Sequence, residues 1–263
     1  MSATGDAEAT DDAEATGTAL DAFAPAIAAD GFAVVGGVLD AATTAAAADA
    51  LDAVFAAEDD VAPERGWRTE AHRVAYALPA KHPTFLALCT HPGLLGLARA
   101  VLDDDAVLAG CNGLTMVPGG APQRLHRDHP VPTPGTTVYL HLVVALDPFT
   151  AANGATRVVP RSHAAPADGD PADQEHRTVA LPADAGAVVA YDGALLHAGS
   201  ANRTDRPRRA LHAFFARSWA LPHWDLLASL PPDVAAGLDA ETRAVLGGDR
   251  RVRVWDPVER RVR

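Results

Sequence analysis

Residues 136–146 read TTVYLHLVVAL, a run dense in β-branched and aromatic side chains and free of acidic or basic residues apart from one histidine. Pro134-Gly135 precedes it and Asp147-Pro148 follows, so it has the length and punctuation of a β-strand. The same signature recurs in Val107–Val117, Ala155–Val159, Ala187–Tyr191 and Arg209–Arg217, with Gly- and Pro-rich links between. Short strands at regular intervals, separated by turn signals, predict a mainly β core of sandwich, jelly-roll or barrel type.

Outward from this core the pattern changes. Beyond Met1 and Ser2, residues 3–16 are Ala, Asp, Glu, Thr and Gly with no large apolar residue, which predicts a disordered acidic tail over 1–16. Leu20, Phe23 and Ile27 are spaced for an amphipathic helix over Ala19–Ala29, broken by Asp30-Gly31 before a short strand at Phe32. An Ala-rich helix is predicted from Asp40, its N-cap, to Phe55, and a second helical stretch from His82 to Leu102, interrupted at His91-Pro92-Gly93. Ala164–Arg177 is polar and rich in Pro and Asp, as in a long surface loop. Beyond Trp224 the chain turns helical again, and it closes in a basic tail, Arg250–Arg263. The expected organisation is a tail (1–16) and one domain (17–263). Within the domain a helical part spans 17–105, a β core 106–220 and a C-terminal helical extension 221–263.

Composition narrows the function. The chain has 263 residues, 48% of them hydrophobic, enough for a sizeable core. The formal charge of −12 argues against nucleic acid and against an anionic membrane surface as partners. Two cysteines, Cys89 and Cys111, are too few for a disulfide framework and read as buried thiols. The acidic N-terminus lacks the basic segment of a signal peptide, and no uncharged apolar run is long enough to span a membrane. The expectation is a soluble, cytoplasmic protein acting on a small molecule.

His126-Arg127-Asp128 is the local motif with chemistry in it. On an extended segment residues i and i+2 project from one face, so an imidazole and a carboxylate can meet one ion. His197, at the end of a predicted strand, is the candidate third ligand. Two histidines and a carboxylate on one face of an octahedron leave three positions open, the arrangement suited to non-haem iron(II). The spacing alone is equally that of a strand-end salt bridge, and a zinc-dependent hydrolase or isomerase would use the same three groups.

Further landmarks separate these readings. Asn202 follows His197 within a loop and Arg208 lies eleven residues beyond it; Asn153-Gly154 leads into Val158-Val159-Pro160-Arg161-Ser162-His163; and Asp30-Gly31-Phe32 follows a helix. Taken from the N-terminal landmark to the C-terminal one, they resemble the phytanoyl-CoA dioxygenase family, over residues 20–217. The resemblance implies a double-stranded β-helix (jelly-roll, cupin-like) packed against N-terminal helices. It implies Fe(II), 2-oxoglutarate and O2 as cofactor and co-substrates, with His126, Asp128 and His197 on the metal. Arg208 would then hold the distal carboxylate of 2-oxoglutarate, since a planar, permanently charged fork suits that anion, while Arg209 points to the opposite face.

The implied reaction is hydroxylation of an unactivated C–H bond of a specialised metabolite. Cyclisation, desaturation, epimerisation or orthoester formation are alternatives with the same cofactors. Halogenation is disfavoured, because chloride-binding relatives lack the carboxylate that Asp128 supplies here. One departure concerns Gly199, where many relatives carry Ser; Ser200 follows one position later. Gln123, Tyr139, His141, Ser200, Asn112 and Thr115 are further candidates for co-substrate contacts, His141 equally for an ordinary core histidine. His129 and Pro130 are candidates for substrate contact or a lid.

Overall fold

A computed structural model of the chain describes residues 21–59, 69, 71–129, 131–248, 255–256, 258 and 260–262. The tail expected over 1–16 lies outside these residues, as does Pro130.

Helix α1 (21–30) buries Phe23 and Ile27, four residues apart on one face, and ends where Gly31, at φ +87°, returns its N–H to the Ile27 carbonyl. Strand β1 (Phe32–Val35) follows, then α2 (Ala41–Ala57), capped by the Asp40 carboxylate, which accepts from Thr43 N–H at 2.6 Å. After β2 (His72–Ala75), the stretch expected as one interrupted helix forms α3 (Pro83–Leu88) and α4 (Pro92–Leu102). The break falls before Pro92, whose ring disfavours a helical residue ahead of it; His91 instead caps α4, its Nδ1 accepting from Gly93 N–H.

The β core comprises β3 (Val107–Met116), β4 (Tyr139–Ala145), β5 (Thr156–Val158), β6 (Val179–Leu181), β7 (Val188–Asp192), β8 (His197–Gly199) and β9 (Arg208–Ala216). Short helices α5 (Leu226–Ser229), α6 (Pro232–Ala236) and α7 (Ala240–Val245) follow, and β10 (Trp255–Asp256) pairs with β11 (Arg261–Val262) within the stretch expected only as a basic tail. A 3-10 helix, Ser162–Ala164, leads into the expected surface loop, and the loop itself contains a second, Pro171–Arg177, capped by Asp170 and tied down by an ion pair between Glu175 and Arg157. Local capping chemistry orders a segment whose composition alone reads as loop.

Two antiparallel sheets result, one of six strands in the order β1-β7-β4-β9-β3-β2, the other of three, β6-β5-β8. Leu140, Leu142, Val144, Leu211, Ala213 and Phe215 face outward, buried against Phe23, Ile27, Leu51 and Leu94 of the helices. Val143, Val189, Tyr191 and Ala210 face inward, against Phe149, Val158, Leu181 and Leu195. Burial on both faces explains why β4 reads as a near-continuous apolar run rather than an alternating one. Each fully buried Leu or Phe contributes roughly 1.5–3 kcal/mol. The mainly β jelly-roll with flanking helices is thus the fold of this chain. No helix among the described residues is long and apolar enough to cross a membrane.

The turn into β7 depends on Gly186, which has φ +83° and would place a Cβ 2.3 Å from the Leu39 carbonyl oxygen. Gly186→Ala therefore combines left-handed strain with a backbone clash. It should lower unfolding free energy by at least about 1–3 kcal/mol in urea titrations. Gly96→Ala is the control: it lies in α4 with nothing within 4 Å of the new Cβ, and should stabilise by roughly 0.4–1 kcal/mol.

Candidate metal centre and cleft

His126 lies in the connection between β3 and β4, on an extended segment that pairs with β8. Its N–H donates to the His197 carbonyl and the His197 N–H to its own carbonyl, each at 3.0 Å. Directly opposed residues of an antiparallel pair share a face, so the two imidazoles lie side by side, ring centroids 4.4 Å apart. Asp128 returns to that face two residues later. Its Oδ1 lies 3.7 Å from His126 Nε2 and its Oδ2 3.3 Å from His197 Nε2. The three ligand atoms lie within 4.8 Å of one another.

The tautomers follow from the partners. His126 Nδ1 is 2.8 Å from the Arg124 carbonyl oxygen, and His197 Nδ1 is 2.9 Å from that of Leu195. A carbonyl can only accept, so both Nδ1 atoms carry a proton and, in the neutral rings, both Nε2 atoms present a lone pair to the cluster. Burial pushes the His126 pKa down, so its imidazole is neutral near pH 7. Burial also opposes charge on Asp128, but His197 and His141 outweigh it and hold the carboxyl well below its ordinary range. Burial opposes charge on His197 too, but Asp128 outweighs it and raises that pKa, so the proton it favours on Nε2 is the one a metal ion would displace. Two imidazoles and a carboxylate form a donor set that fits a divalent first-row metal.

These groups open on a cleft of about 190 Å³ lined also by His72, Gln123, Val143 and Arg208. Arg208 is 2% exposed. Its Nη2 donates to the Gly154 carbonyl at 2.8 Å, its guanidinium lies 4.3 Å from the Phe149 ring centroid, and its Nε is buried without a partner. Burial lowers its pKa to about 10, which still leaves it charged at neutral pH. Arg209, one residue on, faces the helices instead, where Asp147 takes its Nε and Nη2 at 2.9 and 2.7 Å and Asp52 its Nη1 at 2.8 Å. The cleft therefore holds a buried cation with donor capacity to spare, an arrangement that calls for an anionic ligand. A second cleft of about the same volume, between Arg127 and the 165–171 segment, has no imidazole or thiol in its lining.

Gln123 accounts for Gly199. Its Oε1 accepts from the Gly199 N–H at 2.7 Å and lies 2.9 Å from where a Cβ at 199 would stand. The glutamine fills the space that a serine there would need. Other candidates sit elsewhere. Thr115 pairs with Arg209 and Arg73 and shares their face of β3, away from the cleft, because strand alternation opposes it to Leu114 and Met116. Asn112 is on the inner face, but its Oδ1 accepts from Ala77 N–H at 3.3 Å. Tyr139 points inward two turns of the pleat from Val143, about 13 Å along the strand; its hydroxyl donates to the Leu221 carbonyl at 2.6 Å and its ring lies near His129 and His223. Ser200 is spent on backbone pairing with Ala155 and does not line the cleft. His129 caps the same end through its N–H to the Gly193 carbonyl at 2.7 Å. His141 is buried behind Asp128, Nδ1 to Oδ2 3.2 Å.

Among the cleft residues that carry no assignment from sequence are three with titratable rings: His72, Tyr191 and His212. His212 had a usable signal, since it lies four residues beyond Arg208 on the same strand face. Tyr191 likewise alternates inward with Val189. His72 had none, because β2 lacks a strand signature in sequence.

The Gly199–Gln123 fit makes a specific prediction. Gly199→Ser should destabilise the protein, and Gln123→Ala in the same chain should relieve the crowding. A double-mutant cycle by urea unfolding should show coupling of about 0.5–3 kcal/mol. Strict additivity would mean that the glutamine does not occupy that space.

Comparison with known proteins gives the family. Residues 27–210 match the family model described as Phytanoyl-CoA dioxygenase (PhyH). An uncharacterised protein of Mycobacterium tuberculosis is 29% identical over 177 residues, 65% of this chain and 65% of that protein, so the match spans just under two thirds of the relative's length. The dioxygenase trt7 of Aspergillus terreus is 34% identical over 139 residues, 47% of this chain and 46% of that protein. Among solved structures, the non-heme alpha-ketoglutarate-dependent epimerase SnoN from nogalamycin biosynthesis superposes with a TM-score of 0.64 at 24% identity, covering 77% of this chain and 84% of its own, a likeness of fold. Given a family model that matches most of its length, the chain belongs to the phytanoyl-CoA dioxygenase family.

Proposed function

We propose that the protein is an iron(II)- and 2-oxoglutarate-dependent oxygenase that hydroxylates an unactivated C–H bond of a small molecule, of the specialised-metabolite kind. The observation that carries this reading is the placement of a buried, under-partnered Arg208 in the same cleft as two imidazoles and a carboxylate. A hydrolytic metal site has no need of that cation.

His126 Nε2, Asp128 and His197 Nε2 would hold the iron, and Arg208 the distal carboxylate of 2-oxoglutarate. The bound pair supplies the oxidising power, drawn from O2 and the decarboxylation of 2-oxoglutarate to succinate. The chain's own groups do the rest. The Arg124 and Leu195 carbonyls keep both Nε2 lone pairs aimed at one point. Arg208 selects a dianionic chain of the right length, its free Nε completing a two-pronged contact that the Gly154 carbonyl leaves open. Phe149 backs the guanidinium and, with Val143 and Ala210, keeps the floor of the cleft apolar. Access is from the side of His126, whose side chain is 42% exposed against 6% for His197.

The fold likeness to an epimerase favours a second outcome, inversion of a C–H centre with the same cofactors. Product analysis separates the two: hydroxylation adds one oxygen atom, and epimerisation adds none.

His197→Ala should abolish both stoichiometric iron binding and succinate formation while leaving the circular dichroism spectrum unchanged. Wild-type turnover in that variant would sink the assignment. Arg208→Ala removes a charge-assisted contact worth about 1.5–3 kcal/mol, so the KM for 2-oxoglutarate should rise roughly tenfold to a hundredfold. Iron affinity should change little. Arg208→Lys should recover only part, because an ammonium lacks the fork. Arg209→Ala should leave KM near normal and instead lower stability, since it frees Asp147 and Asp52.

A further inference from the structure

Asp128 stands between two groups of side chains. His126 and His197 lie on the open side, and His141, His212 and Tyr191 lie behind it on the inner face of the large sheet. Of these, Tyr191 (1% exposed) and His141 (2%) are buried, while His212 is half-buried and, like Tyr191, also borders the cleft. The Tyr191 hydroxyl is 3.1 Å from His197 Nε2, 3.2 Å from His212 Nε2 and 3.4 Å from Asp128 Oδ2. His141 Nδ1 is 2.8 Å from His212 Nε2 and 3.2 Å from Asp128 Oδ2. The His141 ring is stacked between Tyr191 (5.1 Å, 5°) and Phe214 (5.0 Å, 11°), so it cannot turn away.

Counting protons assigns the donors. Two facing N–H groups cannot share a 2.8 Å contact, so only one proton lies between His141 and His212. If it sat on His212, the bare Nδ1 of His141 would face the Asp128 oxygen, lone pair against lone pair. The proton therefore belongs to His141 Nδ1, where it serves both Asp128 Oδ2 and His212 Nε2. His212 Nε2 is then an acceptor, and so is His197 Nε2 in the neutral ring that metal binding requires, where the one proton is on Nδ1. The Tyr191 hydroxyl is left as the one O–H donor among these acceptors. Once the His197 lone pair is given to a metal, that donor has Asp128 Oδ2 as its charged partner.

We propose that Tyr191 and His141 are positioning residues that together hold Oδ2 of Asp128, so that the carboxylate presents Oδ1 alone to the metal. This rests on the metal reading above and deepens it. The terminal torsion of an aspartate is soft, and nothing in the side chain itself prevents both oxygens from chelating. A two-pronged carboxylate would take one of the three positions that an octahedral ion has left after His126, Asp128 and His197. A chelating 2-oxo acid and O2 between them need all three. Two hydrogen bonds on the rear oxygen keep the third position free.

The test uses the full-length protein and cobalt(II) as the probe, with affinity read by calorimetry and coordination by visible absorption. Tyr191→Phe keeps the ring stack and removes only the donor; His141→Leu removes the second donor, and His141→Gln restores an N–H. Tyr191→Phe and His141→Leu should each alter the visible spectrum, as the freed carboxylate oxygen enters the coordination sphere, and shift cobalt affinity by roughly tenfold or more, while His141→Gln stays near wild type. Where Tyr191→Phe does not fold, the contrast between His141→Leu and His141→Gln makes the same distinction. Affinities within twofold of wild type and superimposable spectra overturn the proposal. So does a visible phenolate-to-metal absorption on loading wild type with iron(III) that Tyr191→Phe abolishes, since the hydroxyl would then itself be a ligand. Failure of the wild-type protein to bind cobalt, or undiminished binding by Asp128→Ala, would instead refute the metal site.

Discussion

Two backbone hydrogen bonds hold the candidate site together: His126 N–H to the His197 carbonyl, and His197 N–H back to that of His126, each 3.0 Å. They place two imidazoles on one face at a separation that neither side chain could impose. Asp128 reaches that face because the segment stays extended for two more residues. The same ladder, continued backwards, brings Gln123 N–H to the Gly199 carbonyl at 3.0 Å and sets the glutamine into the room that Gly199 leaves. A slip of one residue would turn His126 outward and carry Arg127 into the cleft.

The neighbouring Arg208 and Arg209 show what the alternation of β9 does with identical chemistry. Arg209 meets two carboxylates under the helices, and that partnership raises its pKa. Arg208 is buried between the sheets with one carbonyl, one aromatic face and an unused Nε, and its pKa falls. A cation left so in an apolar interior is unfavourable in isolation. Its retention is intelligible when a ligand anion completes the pairing, so this local instability is itself a statement about function.

The β core was legible because its strands are buried on both faces or alternate cleanly, and because Gly and Pro punctuate them. Helix ends were legible from Asp40 and from Pro92. What escaped were β2, whose four residues carry no apolar pattern, and the 3-10 helix Pro171–Arg177, built by a cap and an ion pair in a polar segment. Thr115 was placed with Asn112 as a contact candidate although three residues of strand separate them, which sends them to opposite faces.

Residue types, their alternation and the order of the landmarks from Asp30-Gly31 to Arg208 are all local patterns, and for that reason the chain read alone is enough to point to the family. Which side chains converge is settled only in three dimensions. Tyr191, His212 and His72 come from three different strands, and His141 was equally credible as a core histidine. Their meeting behind and beside Asp128 depends on strand order and register, which are set by long-range pairing and by burial on both sheet faces. No short stretch of the chain contains that information.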